Sequence, residues 1–449
     1  MNALDQYIDL YTQYGEALRA HSPEALNRPR AAALDTLRRL GRLPKRGDEG
    51  YQLTDVEAML APDMGVNVMR VAPAADPRGE VACALPGLGS LNALLVNDTF
   101  VAGRGLADAL PAGVEVMSLA RAAELYPDDV MPGVAPAGEA AVALNSLLVQ
   151  DGVYIRVAPG VRLDTPIQVL GIFSAASPVL AVRRVRISMG DGASASVLMC
   201  DHPRRQQAYT ASSRVVECTL GRGAALDCYD LEESGPGTGR ISVFAARQDA
   251  DSRLSLTSAF LSGGCTRNEV YVSHTAPGCH TALGGMVIAG AGQQVDNSTR
   301  IVHSQPHCTS EQLFKYALFD DACGAFGGIV TVDHGAVHTD ARQTNRNLLA
   351  SPSARMYAQP QLIINCDEVK ASHGATTGRL DDDALFYMRS RGIPEAEARM
   401  MLTNAFLTDV LDSIGIEALR ERLRHLVDKR LRGCGTSCDK CNLPHELRR

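Results

Sequence analysis

The sequence predicts a mainly β protein, built on a right-handed parallel β-helix core with helical N-terminal and C-terminal domains. Three observations carry that expectation. Strand-like segments recur as strand, tight polar turn, strand, with a period of roughly 30 residues. No helical pattern separates these strands, which excludes a doubly wound α/β sheet. Gln343, Asn345 and Asn347 alternate along one segment, so strand spacing puts three amides on one face. Such ladders suit a coiled sheet in which equivalent side chains lie above one another. One coil cannot bury its own face, so neighbouring coils must stack.

The 449 residues leave room for more than one structural unit. Hydrophobic residues make up 45%, enough for a large core, while aromatics are 5%, tryptophan is absent and glycine numbers 40. Small residues with few aromatics suit thin, stacked coils. The net charge of −7 implies no basic surface for nucleic acid. The opening stretch lacks a basic region and a long apolar run. No apolar run approaches the roughly 20 residues that span a membrane. A cytoplasmic protein is therefore expected, with no membrane or nucleic-acid partner. Its 12 cysteines are then reduced thiols or metal ligands, not a disulfide framework.

In order, residues 1–65 read as an N-terminal helical region. Leu4, Tyr7, Ile8, Tyr11 and Leu18 share a helical face. Pro29 opens a second helix that Gly41 and Pro44 stop. Thr54, with Glu57 three residues on, reads as a capping pair. Residues 66–139 read as a mixed α/β segment and linker. Strands flank an Asn97-Asp98 turn, and a short helix runs from Ser118 to Tyr126. Residues 140–380 form the expected β-helix core. Its turns include Gly190-Asp191-Gly192, Gly221-Arg222-Gly223, Gln248-Asp249-Ala250 and Ala276-Pro277-Gly278. Leu362-Ile363-Ile364 reads as a short buried strand, and Ser372 to Thr376 as a glycine-bearing turn that presents His373.

Residues 381–433 switch to helix. Asp382 or Asp383 is expected to cap the first helix. Pro394 starts the next, with an apolar stripe of Ala398, Met401, Leu402, Ala405, Phe406 and Val410. Gly415 breaks it, and Ile416, Leu419, Leu423, Leu426 and Val427 form a second stripe. Residues 434–449 are a cysteine-rich tail.

The segments QTNRNLLAS, PQLIINCDEV and SHGATTGRLDDDALFYMRSRGI carry a further signal. Together they resemble the SufB/SufD family of scaffold subunits in iron–sulfur cluster assembly. The Ser372–Thr376 run is similar to the SufD branch of that family; the SufB branch carries a glutamate-containing version. The likeness covers about Gly152 to Asn404. It implies a non-catalytic scaffold that pairs with a SufB-like subunit and docks a SufC-type ATPase through the C-terminal helices. A homodimer is expected when the chain is isolated, because sheet edges pair with other chains. The resemblance also implies that the core binds no cofactor tightly, with iron, an iron–sulfur cluster or zinc handled transiently.

The candidate metal residues are His373, Cys434, Cys438, Cys441 and His445. The tail places three thiols at C-x3-C-x2-C spacing, a pattern that can wrap one soft metal, with His445 as a fourth ligand. A loose reduced tail is the competing reading, and the resemblance does not assign it. His373 can bind iron through neutral imidazole. Its family counterpart is implicated in cluster assembly at the interface between scaffold subunits. The competing reading is a hydrogen-bonded turn residue. Two departures stand out: Ala371, where SufD-type chains can carry cysteine, and Val337, where glutamine is expected. His303/His307 and His334/His338 can each share a strand face, although such pairs are more often structural. No Walker A, Gly-x-Ser-x-Gly or His-Glu-x-x-His pattern is present, so no enzyme is expected. Two other readings stay open: a β-helix carbohydrate-active enzyme, which the few aromatics disfavour, and a metal carrier working through the tail.

Overall fold

Strand follows strand from Gly152 to Gly378, and successive strands fall alternately into two sheets. The computed structural model describes residues 2–72, 88–174, 176–203 and 208–433. One sheet has 10 strands and the other 9. Beyond Gly152 the pairings within each sheet are parallel and in register from coil to coil. The core is thus a parallel β-solenoid, with helices before and after it. The sheets also take in strands that precede Ala140. Leu91–Val96 pairs in parallel with Ile167–Phe173, and Val114–Ser118 pairs antiparallel with Gly152–Val157.

The turns show why the chain coils. Gly160, Gly192, Gly223, Asp251, Gly278, His307 and His338 all have positive φ. Each N–H donates to a carbonyl in the turn of the next coil: Gly192 to Arg222, Asp251 to Pro277, Gly278 to Pro306 and His307 to Val337. The turn is therefore a ladder of its own, and it requires the left-handed conformation at one residue per coil. Glycine adopts that conformation without a Cβ penalty. Three of the coils use Asp or His there instead, which hides the repeat from a search for glycine.

Inside the rod runs a continuous apolar core that includes Val153, Ile187, Val216, Phe244, Val272, Val287 and Phe326. The outer faces are covered in part. Leu4, Tyr7, Leu37 and Leu144 pack on Leu180, Val182, Ala211 and Ile241 of one sheet. Leu407, Val410, Leu411, Leu419 and Leu423 pack on Leu198, Leu231, Met286 and Ile288 of the other. Each fully buried leucine is worth about 1.5–3 kcal/mol, so both helical groups are held firmly. Lys315 adds a polar tie. Its buried amino group donates to the Phe406 carbonyl at 2.7 Å and to Asp409 at 2.5 Å.

Several sequence expectations need correction. The cap before Val56–Leu60 is Asp55, which accepts from the Ala58 N–H at 2.8 Å. Thr54 instead donates to Asp296 on the solenoid at 2.6 Å. Glu57 turns away and accepts from the Ala3 and Leu43 N–H groups, locking three N-terminal segments together. Asp381, not Asp382 or Asp383, caps Asp382–Ser390. In Glu395–Asp412 the buried face is Ala398, Thr403, Leu407, Val410 and Leu411, whereas Met401 is exposed. The stripe is rotated because Leu407 and Leu411 fit the sheet surface. Ile363 and Ile364 are 47% and 44% exposed, not core. Ser372 to Thr376 lie within the strand Lys370–Gly378, not in a turn. Both of these errors have one physical cause: these strands end the rod, and no further coil covers them.

Candidate functional site

The last strands, Arg355–Ile364 and Lys370–Gly378, each sit at the edge of their sheet. Each pairs on one side only, with Cys323–Val332 and Asp340–Leu349 respectively. Their outer N–H and C=O groups therefore present two open templates for another chain. The opposite end of the rod is different, because antiparallel partners finish both sheets there.

The rod interior changes character toward the open end. One register column runs Leu256, Leu283, Gln312, Gln343 and His373. A second runs Val287, Tyr316, Asn347 and Thr377. Apolar side chains thus give way to amides, and then to a histidine at the mouth. Gln312, Gln343, Asn345 and Asn347 are buried, whereas His373 is exposed. Asn347 donates to Asn345 Oδ1 at 2.6 Å and to the Thr376 carbonyl at 3.1 Å. Both polar atoms of the Gln343 amide, together with Gln312 Nε2 and Asn347 Oδ1, have no hydrogen-bond partner within the chain. Each such atom carries a cost of about 1–3 kcal/mol. Gly328 makes room for this group, since a Cβ there would stand 2.1 Å from Gln343 Nε2.

The expected amides therefore do share an inward face. They stack on Phe314, Tyr316 and His373 as well as on Gln312, so no continuous amide ladder forms. Ala371 packs in a small apolar cluster with Val330, Ala341 and Cys366. That explains why a small residue fits two positions before His373.

The other predicted ligands separate. His303 and His307 do not act as a pair along one strand. His303 is buried and meets His274, 29 residues earlier, Nδ1 to Nδ1 at 3.1 Å. His307 lies in the exposed turn and stacks on His338, with ring centroids 4.9 Å apart. The coil period, not i to i+4 spacing, brings histidines together. Cys434, Cys438, Cys441 and His445 lie outside the described residues. Among the described residues, no group of three or more His, Cys, Asp or Glu is placed to hold a metal ion.

A second exposed surface lies on the C-terminal helices. Phe386, Tyr387 and Met401 are 72%, 59% and 45% exposed. Lys315 and the leucines beneath hold Glu395–Asp412, which carries Met401, to the rod, whereas Phe386 and Tyr387 lie on the preceding helix Asp382–Ser390.

Comparison with known proteins decides the family. The family described as SUF system FeS cluster assembly, SufBD core domain, matches residues 172–406, more than half of the chain. The chain belongs to the SufBD family. The SufBD protein N-terminal region matches residues 1–169. The iron–sulfur cluster assembly protein SufD of Escherichia coli K12 is 27% identical over 439 residues, covering 96% of this chain and 97% of its own length. A SufBD family protein of Synechocystis is 27% identical over 417 residues, covering 89% of this chain and 90% of its own. SufD of Bacillus subtilis is 27% identical over 292 residues, 65% of this chain and 66% of its own. This SufBD protein is thus SufD-like, and the core match covers the solenoid from residue 172 onward, with its open end and His373. Among the described residues, no helix is long and apolar enough to cross a membrane.

Proposed function

We propose that this SufD-like protein is a non-catalytic scaffold in iron–sulfur cluster assembly, working through two docking surfaces. The open end of the rod pairs with a SufB-like subunit by sheet extension. Main-chain hydrogen bonds supply affinity, and Ile363 and Ile364 supply apolar contact. His373 then stands at the junction, above a column of buried amides, where a neutral imidazole can hold iron or a nascent cluster in transit. The C-terminal helices dock a SufC-type ATPase through Phe386, Tyr387 and Met401. Nucleotide-driven movement of that ATPase passes to the rod through the Lys315 tie and the packed leucines. The cysteine tail is a secondary candidate for zinc or iron.

The observation that carries this reading is the coincidence of both free sheet edges, two exposed isoleucines and His373 at one end of the rod. The interior acids of the core weigh against a carbohydrate-active enzyme. Asp201, Asp230 and Glu232 are buried and paired with arginines, so they do not line a cleft. The test is co-purification with SufB-like and SufC-like chains, with and without His373→Ala. The substitution should leave the complex assembled and reduce cluster maturation in cells. Unchanged maturation with an intact complex would remove His373 from the account.

A further inference from the structure

We propose that Cys279 and Cys308 form an oxidation site inside the rod, a stacked thiol pair that a small hydroperoxide converts into a disulfide joining adjacent coils. The pair is set by register. His280 is paired with Thr309, and the Thr309 N–H donates to the Cys279 carbonyl at 2.9 Å. The two cysteines therefore hold the same position on successive coils. Neighbouring strands lie about 4.8 Å apart, inside the Cα separation of about 4.4–6.8 Å that a disulfide needs.

The fold does not require sulfur at this position. The same column holds Ser252 one coil earlier and Thr339 one coil later. Ser252 donates to the Asp249 carbonyl at 2.6 Å and Thr339 to the Ala336 carbonyl at 2.8 Å. Cys279 lies on the corresponding carbonyl, that of Ala276, at 3.1 Å. A hydroxyl closes the turn equally well, so the two adjacent thiols are chemistry beyond what the turn needs.

The surroundings make the two sulfurs unequal. The Cys279 thiol, and then the imidazoles of His274 and His303, hold Cys308 far below the usual thiol range against the opposing effect of burial, to about 3. Cys279 is pushed up by the same hydrogen bond and by burial. One sulfur is thereby a nucleophile and the other a proton-bearing partner. Both are buried, but the turns covering them expose Thr275, Pro277 and His307, and local opening of a turn admits a small oxidant. The Cys308 thiolate attacks the peroxide oxygen, so that an S–O bond forms, the O–O bond breaks, and the leaving alkoxide or hydroxide takes up a proton. Cys279 then attacks the sulfenic sulfur. The S–S bond forms, the S–O bond breaks, and water departs with the Cys279 proton. Two thiols are oxidised and one hydroperoxide is reduced.

The test uses the full-length chain, reduced, treated with limiting hydrogen peroxide, denatured, alkylated with N-ethylmaleimide and digested with trypsin. Cleavage after Arg267, Arg300 and Lys315 places the two cysteines on separate peptides. The expected product is a linked pair of these peptides, two hydrogens lighter than their sum. Cys218 and Cys228, neighbouring core thiols, should remain alkylated and serve as an internal control. In Cys279→Ser, which places the hydroxyl of the Ser252 coil in this one, dimedone should trap Cys308 as sulfenic acid. Full alkylation of both cysteines in the wild-type chain, or a Cys279→Ser chain with no dimedone label on Cys308, would overturn the proposal.

Discussion

The two halves of the rod interior solve the problem of buried polar groups in opposite ways. Toward the N-terminal side, Arg183, Arg214 and Arg240 face Asp201, Asp230 and Glu232, all of them buried. Arg183 meets Asp201 at 2.9 Å and Arg240 meets Glu232 at 2.6 Å. Asp201 Oδ2 makes no hydrogen bond, yet it lies 3.9 Å from Arg214 and 3.8 Å from Arg240. Three cations and three anions cancel inside a closed section. Toward the open end the interior polar groups are the amides of Gln312, Gln343, Asn345 and Asn347, with hydroxyls and the His274–His303 pair, and unpaired amide atoms lead to His373. An enclosed interior has to balance its charges internally, because isolated buried ions are prohibitively costly. An interior that ends at a docking face can leave groups for a partner to meet. The first half is architecture, and the second is the candidate site.

Substitutions can break or sharpen this contrast. The largest effect is expected from Arg240→Met, which takes the arginine from Glu232 and leaves Asp230 to Arg214. Removing one partner of a buried pair costs about 3–5 kcal/mol, read from urea unfolding. A loss below about 1 kcal/mol would mean that the ionic section is dispensable.

Acid should act on the same section. Burial pushes Asp201 and Asp230 up, but the neighbouring arginines outweigh it, and both carboxyls are held below their usual range. A depressed carboxylate contributes stability above its unfolded pKa of about 3.9 and loses it as pH falls. Glu232, raised chiefly by burial, works in the opposite direction. The urea midpoint should therefore hold from pH 7 to about 5 and drop below about pH 4. Arg240→Met should show a shallower drop.

Lys315→Met removes the tie to Phe406 and Asp409, and should cost about 1–3 kcal/mol. Limited proteolysis should then cut within Glu395–Leu431 before the strands. If the helices stay protected, the leucine contacts alone hold them. The smallest stability effect is expected at the open end. Ile363→Ser combined with Ile364→Ser should shift stability by no more than about 0.5 kcal/mol, because both side chains are exposed. Yet it should abolish co-purification with a SufB-like subunit. A large loss of stability, or retained binding, would erase the distinction between the two halves.

Much of this was legible in the sequence. The strand beat, the absence of intervening helices and the terminal helical periodicities specify a stacked parallel core. Gln343, Asn345 and Asn347 point inward as their alternation requires. What could not be read was where the stack stops. Leu362-Ile363-Ile364 has the composition of a core strand, and only the missing next coil makes it a surface. The His pairs misled for a related reason: side chains meet across coils, at a separation set by turn lengths that local patterns do not reveal. His274 with His303, and Cys279 with Cys308, become visible only when the chain is aligned on its own repeat. Positive φ at Asp251, His307 and His338 concealed part of that repeat.

Hydrogen–deuterium exchange on the free chain, and again in complex with a SufB-like subunit, tests the central claim most directly. Amides of Arg355–Ile364 and Lys370–Gly378 should exchange readily in the free chain and become protected in the complex, while the arginine-lined coils stay protected in both. Protection that appears on the helical flanks or at Thr99–Ala102, with the last two strands unchanged, would contradict the account.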